Sequence, residues 1–228
     1  MSSLLPAIEL ETAPNPDASI IWMHGLGADG NDFVPIVDEM ELPPRPIRFI
    51  FPHAPEQPVT INGGFKMRAW FDVVSDDFSR REDEVGVRES QGTIEALVRR
   101  ENERGIPTRQ IVLAGFSQGG AMALHTGLRY PERLAGIMAL STYVPISTTL
   151  AAEAAQANRD VPIFMAHGTG DPIIPLMLAG ASRQLLERLG YDVQWHEYGM
   201  AHSVIWEEVA DISQWLQRVL GTSKPDAL

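Results

Sequence analysis

The sequence predicts an α/β fold with a mainly parallel central sheet flanked by helices on both faces, on three observations. Short runs that are apolar at almost every position alternate with amphipathic segments along the chain, as expected of strands buried on both faces and helices packed over them. One such run, Ile111–Ala114, enters the glycine-rich turn Gly115-Phe-Ser117-Gln-Gly119 and continues into a helical pattern through Leu128. The length of 228 residues suits one domain with a sizeable core, so 1–228 reads as a single domain.

The predicted strands are Ser19–Met23, Ile47–Phe51, Gln110–Ala114, Leu134–Leu140, Pro162–Ala166 and Val193–Tyr198, with an early strand near Ile8–Glu11. Predicted helices cover Asn31–Met40, Glu84–Arg104, Gly119–Tyr130, Pro175–Leu189 and Val204–Leu220. In the last, Ile205, Val209, Ile212, Leu216 and Val219 recur at three- and four-residue steps, which makes one face apolar. In the second, Ile94, Leu97 and Val98 face inward, and Gly105-Ile-Pro107 stops the helix. Two stretches fit neither pattern: Pro52–Arg81, rich in Pro and carrying the pair Gly63-Gly64, and the Ala-rich Thr142–Asp160. Long irregular excursions of this kind are usually functional loops or small covering elements. The tail 221–228 is expected to be flexible.

Composition narrows the function. The net charge is −12, and of eighteen basic residues only Lys66 and Lys224 are lysines. With no basic run, nucleic acid is not an expected partner. There is no cysteine, which removes disulfides, thiolate metal sites and cysteine nucleophiles together. Metal hydrolases with a His-Glu-x-x-His cluster are excluded in the same way. The first ten residues lack a basic segment followed by a signal-length apolar stretch, and no apolar run approaches a membrane span. A cytoplasmic protein without stable membrane insertion is expected.

The turn at Ser117 is a nucleophile elbow in pattern: strand, sharp reversal, helix, with the hydroxyl raised above the sheet edge. Positions two before and two after the serine crowd each other as the chain reverses, hence Gly115 and Gly119. A serine nucleophile needs a base, and the base an orienting acid. In elbow folds these follow in the order Ser, acid, His, on loops after later strands. Among histidines only His125, His167, His196 and His202 come after Ser117. His125 falls within a helix, His167 ends a strand and His196 sits in mid-strand. His202 lies on the loop after the last strand, at the carboxyl end where catalytic groups collect. Asp171 follows the strand Pro162–Ala166 in the same manner, whereas Asp160 and Asp192 precede their strands. The oxyanion of an acyl-transfer intermediate needs preorganised N–H donors. The amide of Gln118 is one candidate, and the amide of Leu26, in His24-Gly-Leu-Gly27 after an early strand, is the other. His24 precedes the serine and is expected to make a structural hydrogen bond.

With these residues in hand, the chain resembles the carboxylesterase, acyl-protein thioesterase and lysophospholipase family of small α/β-hydrolases. The resemblance rests on His24-Gly-Leu-Gly-Ala-Asp-Gly30, Phe51-Pro-His-Ala-Pro55, Met67-Arg-Ala-Trp-Phe-Asp72, Gly115-Phe-Ser-Gln-Gly-Gly120, His167-Gly-Thr-Gly-Asp-Pro172 and Tyr198-Gly-Met-Ala-His202, in family order. It implies Ser117, Asp171 and His202 as the triad, Leu26 and Gln118 as oxyanion donors, no cofactor or metal, an acyl ester or thioester substrate, and a possible homodimer. The form of His24–Gly30 looks like the bacterial carboxylesterase branch, and the main reading is a serine carboxylesterase of short- to medium-chain carboxylic esters or thioesters. The second reading is an acyl-protein thioesterase or lysophospholipase acting on long acyl chains. In either case the acyl chain is expected against apolar residues of the irregular stretches: Phe65, Met67, Trp70, Tyr143, Val144, Leu176 and Met177.

Overall fold

Apolar runs and amphipathic segments resolve in the computed structural model into a layered α/β arrangement, described for residues 4–75 and 82–221. In chain order the elements are β1 (Ala7–Glu11), β2 (Ala18–Met23), β3 (Ile47–Pro52), β4 (Glu56–Val59), β5 (Phe65–Arg68), α1 (Glu84–Glu103), β6 (Ile111–Phe116), α2 (Gln118–Arg129), β7 (Gly136–Leu140), α3 (Leu150–Glu153), β8 (Ile163–Gly168), α4 (Leu176–Arg188), β9 (Val193–Tyr198) and α5 (Trp206–Leu220). The main sheet has the order β1-β3-β2-β6-β7-β8-β9. Only β1 runs antiparallel to its neighbour, with Ala7 opposite Pro52; the other pairs are parallel.

β2, β3, β7 and β8 are buried at every position, the reason they read as nearly continuous apolar runs rather than alternating ones. Their side chains divide by pleat. Ile21, Leu113, Ile137 and Met165 pack with Ile94, Leu97 and Val98 of α1 and with most of α2. Trp22, Val112, Met138 and Phe164 pack on the other face with Val209, Ile212, Trp215 and Leu216 of α5. The α1 start is capped by Asp83, whose side chain accepts from Gly86 N at 3.0 Å, satisfying one of the orphan amides of the first turn.

One expectation changes. Asn31–Met40 is not an α-helix but a turn followed by the 3₁₀ segment Val34–Glu39, which buries little beyond Val37. Phe33, Val37 and Met40 are nonetheless buried against the same core cluster. The excursion after Pro52 contains an antiparallel hairpin, β4–β5, pairing Glu56 with Arg68 and Val59 with Phe65. Its Gly63 and Gly64 both adopt left-handed backbone, with φ of 69° and 79°. The Ala-rich segment after Thr142 holds only short turns and α3. Residues 76–81 of the first excursion, and all of the tail but Gly221, lie outside the described residues. Among the described residues no helix is long and apolar enough to cross a membrane.

Candidate active site

Parallel strands deliver their carboxyl ends to one rim, and the candidate site draws on four loops there, after β2, β6, β8 and β9. β6 ends at Phe116, and Ser117 follows with φ 54° and ψ −120° before α2 begins. A non-glycine residue in this region stores roughly 1–3 kcal/mol of strain. Three hydrogen bonds hold it there: Ser117 N–H donates to Leu140 O at 2.8 Å, and its carbonyl accepts from Ala121 N at 3.0 Å and Thr142 Oγ1 at 2.6 Å. The flanking glycines are sterically required. A Cβ on Gly115 would lie 2.2 Å from the Gly119 carbonyl, and one on Gly119 would lie 2.2 Å from Met23 O.

The loop after β2 is clamped against this elbow. Ala54 N–H donates to His24 Nε2 at 3.0 Å, so Nδ1 carries the ring proton and donates to Gly25 O at 2.7 Å. Burial pushes the His24 pKa below its usual value, consistent with a neutral ring. The Trp70 indole N–H donates to His24 O at 2.9 Å, and Gly27 N–H to Arg68 O at 2.9 Å. The Gln118 side chain ties the other flank, accepting from Trp70 N at 2.8 Å and donating to Phe71 O at 2.8 Å. Leu26, Gln118 and Ser117 thereby line one cavity of about 360 Å³, walled largely by Ile61, Phe71, Val73, Tyr143, Ile173 and Ile174.

Asp171 and His202 come from the loops after β8 and β9. The Asp171 Oδ1 accepts from Ile173 N at 2.8 Å and Ile174 N at 2.9 Å, a side-chain-capped turn. Its Oδ2 lies 2.6 Å from His202 Nδ1. The carboxylate is fully buried and the imidazole 15% exposed, so the pair is reachable only along the ring. That ring packs at 4.7 Å between centroids against Phe116, the residue before the serine. A carboxylate on Nδ1 leaves Nε2 as the imidazole nitrogen free to exchange a proton.

His125 and His196 are used elsewhere. His125 is fully buried, bonded to Gln91 Oε1 at 3.0 Å, with its pKa lowered to about 3 mainly by desolvation. His196 stacks on Phe164 and lies 3.2 Å from Asp211 Oδ2, away from Asp171. Among the described residues no group of three or more His, Asp or Glu side chains could hold a metal ion.

Of the seven apolar residues expected along the acyl chain, Tyr143 lines the cavity. Phe65 is 75% exposed at the hairpin and Met177 83% exposed on α4. Met67 accepts from Asn62 Nδ2 at 3.3 Å and borders a different depression. Trp70 and Val144 are buried beneath the site, and Leu176 faces a cleft with Arg183 and Trp195. The walls the sequence reasoning missed, Ile173 and Ile174 above all, directly follow Asp171-Pro172. That adjacency was the only signal for them.

A mainly parallel sheet between helical layers, with a strained serine between β6 and α2, defines an α/β-hydrolase. The chain belongs to the phospholipase/carboxylesterase family, whose profile matches residues 6–220, and it is a hydrolase of the serine type. A Yarrowia lipolytica protein named acyl-protein thioesterase 1 is 37% identical over 218 residues, covering 93% of this chain and 96% of that protein. A Neurospora crassa protein of the same name is 40% identical over 223 residues, covering 93% of this chain and 89% of its own. The crystal structure of Arabidopsis thaliana SOBER1 superposes with a TM-score of 0.84 at 31% identity, covering 89% of this chain and 99% of that one. These relatives favour the acyl-protein thioesterase reading over the short-chain carboxylesterase reading suggested by His24–Gly30.

Proposed function

We propose that this protein hydrolyses acyl thioesters, and the matching oxygen esters, of medium to long acyl chains by a two-step serine mechanism. The observation that carries the reading is the apolar cavity that opens directly at Ser117, with an imidazole held by a buried carboxylate at 2.6 Å packed on the adjoining Phe116. In the first step His202 takes the Ser117 proton through Nε2 as the oxygen attacks the acyl carbon. Asp171 fixes the tautomer and steadies the imidazolium. The oxyanion forms against the amides of Leu26 and Gln118, each such donor being worth roughly a hundred- to a thousandfold in rate. His202 then protonates the leaving group, activates water, and the acyl-enzyme is hydrolysed. The acyl chain lies along Phe71, Val73, Tyr143, Ile173 and Ile174.

Names carried by relatives at 37% and 40% identity support the thioesterase side, and a cytoplasmic enzyme acting on S-acylated peptides or small acyl thioesters fits that reading. The test is kcat/KM across p-nitrophenyl esters of rising chain length, with an S-acyl peptide alongside. Each methylene buried in the cavity adds about 0.8 kcal/mol, close to about fourfold per carbon until the cavity is filled. A profile that peaks at acetate or butyrate would reject the long-chain assignment in favour of a short-chain carboxylesterase. Substantial turnover by Ser117→Ala would reject the nucleophile.

A further inference from the structure

We infer that His167 is a positioning residue: its imidazole pins the Asp171–Ile174 turn, and so sets both the carboxylate that orients His202 and the isoleucine wall of the acyl cavity. The inference rests on the triad proposed above. His167, near the end of β8, is fully buried. Its Nε2 lies 2.8 Å from Ile174 O and 3.4 Å from Asp171 Oδ2. A carbonyl only accepts, so Nε2 carries the hydrogen and donates. The ring is held parallel to Trp195 of β9, 6.4 Å between centroids and 13° between planes. Burial holds its pKa below the usual histidine value, which agrees with a neutral donor rather than a second cation beside Asp171.

Three hydrogen bonds and one close polar contact form a ring. Asp171 Oδ1 accepts the Ile173 and Ile174 amides, the Ile174 carbonyl accepts from His167, and His167 returns to the edge of Asp171 Oδ2. With Oδ1 committed to the turn, Oδ2 is left facing His202 at 2.6 Å. Rotation of the carboxylate would break both amide bonds, and slippage of the turn would break the His167 bond. A purely packing role fits the site poorly. His167 Nδ1 is buried without a hydrogen-bond partner among the described residues, a burial cost that leucine or methionine would avoid. What an apolar side chain cannot supply is the Nε2–H. Because Ile173 and Ile174 line the cavity, loosening the turn disturbs chain selection along with the proton relay.

The experiment compares His167→Leu, which removes the donor, with His167→Gln, whose amide nitrogen reaches toward the Nε2 position. Fluorophosphonate labelling, kcat and KM are measured over a p-nitrophenyl ester series. Leu is expected to lower kcat roughly ten- to a hundredfold with a smaller change in KM and a flattened chain-length preference, as small misplacements of catalytic groups do. Gln is expected to recover kcat to within about threefold of the unaltered protein. A folded Leu variant with kcat within about twofold of the unaltered protein overturns the inference, as does equal impairment of Leu and Gln. Should Leu not fold, His167→Asn, which offers its amide at the other ring position, replaces it. Gln must then exceed Asn in kcat by about tenfold, and parity overturns the proposal. An unaltered protein that fails to label, or an active Ser117→Ala, sinks the triad itself and is read separately from the His167 variants.

Discussion

Glu208 offers the sharpest quantitative test of the packing between α5 and the sheet. It sits in the first turn of α5, 0% exposed, and neither carboxylate oxygen meets a hydrogen-bond partner of good geometry among the described residues. Desolvation raises its pKa from 4.5 to about 8; the Ile205 N–H offsets part of this, and Asp211 adds repulsion. The folded protein therefore keeps Glu208 protonated at pH values where the unfolded chain has already ionised it. Stability is full below about pH 4.5, declines as pH rises toward 8, and levels off once both states are ionised. At about 1.4 kcal/mol per tenfold, the interval corresponds to an upper bound of about 4–5 kcal/mol. Glu208→Gln is neutral at every pH and nearly isosteric. It should match the unaltered protein near pH 4.5 and exceed it at pH 9 by up to that amount, or by roughly ten degrees in Tm. Urea denaturation of both proteins at several pH values measures the difference. Two stability curves that stay parallel from acid to alkaline pH would refute a buried neutral carboxyl at this position.

Other expectations bear on the site and its supports. Replacing His202 by Ala should cost at least about a thousandfold in kcat, whereas His196→Ala should stay within about threefold, read from p-nitrophenyl ester turnover. Glu101 is fully buried and bonded to Ser19 Oγ, to Arg48 Nη1 at 2.8 Å and to Arg104 Nη1 at 3.0 Å. Glu101→Ala leaves the buried Arg48 with only the surface Glu11 as carboxylate partner among the described residues and should destabilise by about 3–5 kcal/mol in chemical denaturation. Gln118→Ala strands the Trp70 amide and Phe71 carbonyl, for a loss of roughly 2–4 kcal/mol in chemical denaturation. It should also raise KM for long-chain esters, because Phe71 is a cavity wall.

How far the fold could be read from sequence depended on burial. The predicted strand positions Ser19–Met23 and Ile47–Phe51 all lie in β2 and β3, which are buried at every position. Strands covered on both faces are apolar at nearly every position, with Ser19, Arg48 and His167 as buried exceptions, which is a dense signal. The β4–β5 hairpin was illegible for the opposite reason. Glu56, Pro58, Phe65 and Lys66 are all exposed, so nothing imposes the alternation by which a half-buried strand is recognised. Only Gly63-Gly64 marked it, as a turn. At the N-terminal side of α5, Val204 and Ile205 continue the apolar spacing but lie outside the helix, since periodicity does not register where the backbone departs from helical dihedrals.

The site divides along a similar line. Ser117, Asp171 and His202 could be singled out because a parallel sheet brings the ends of its strands to one rim, and each residue follows its own strand directly. Their polarity made them rare, and chain order removed the rivals His125, His196, Asp160 and Asp192. The cavity walls had no such filter. An apolar residue in an irregular stretch satisfies the physics equally well beneath the site, as Trp70 and Val144 do, or at a hairpin tip exposed to water, as Phe65 does. Which of these it does is decided by the path of the loop. The path here is fixed by polar contacts between residues far apart in sequence: Gln118 to Trp70, His24 to Ala54, His167 to Ile174. Candidate catalytic groups are specified locally and directionally, whereas the cavity is shaped by hydrogen bonds among residues that mostly do not line it. That is why a chemistry can be proposed for this chain ahead of its substrate, and why a buried donor such as His167, rather than any wall residue, is the place to perturb both at once.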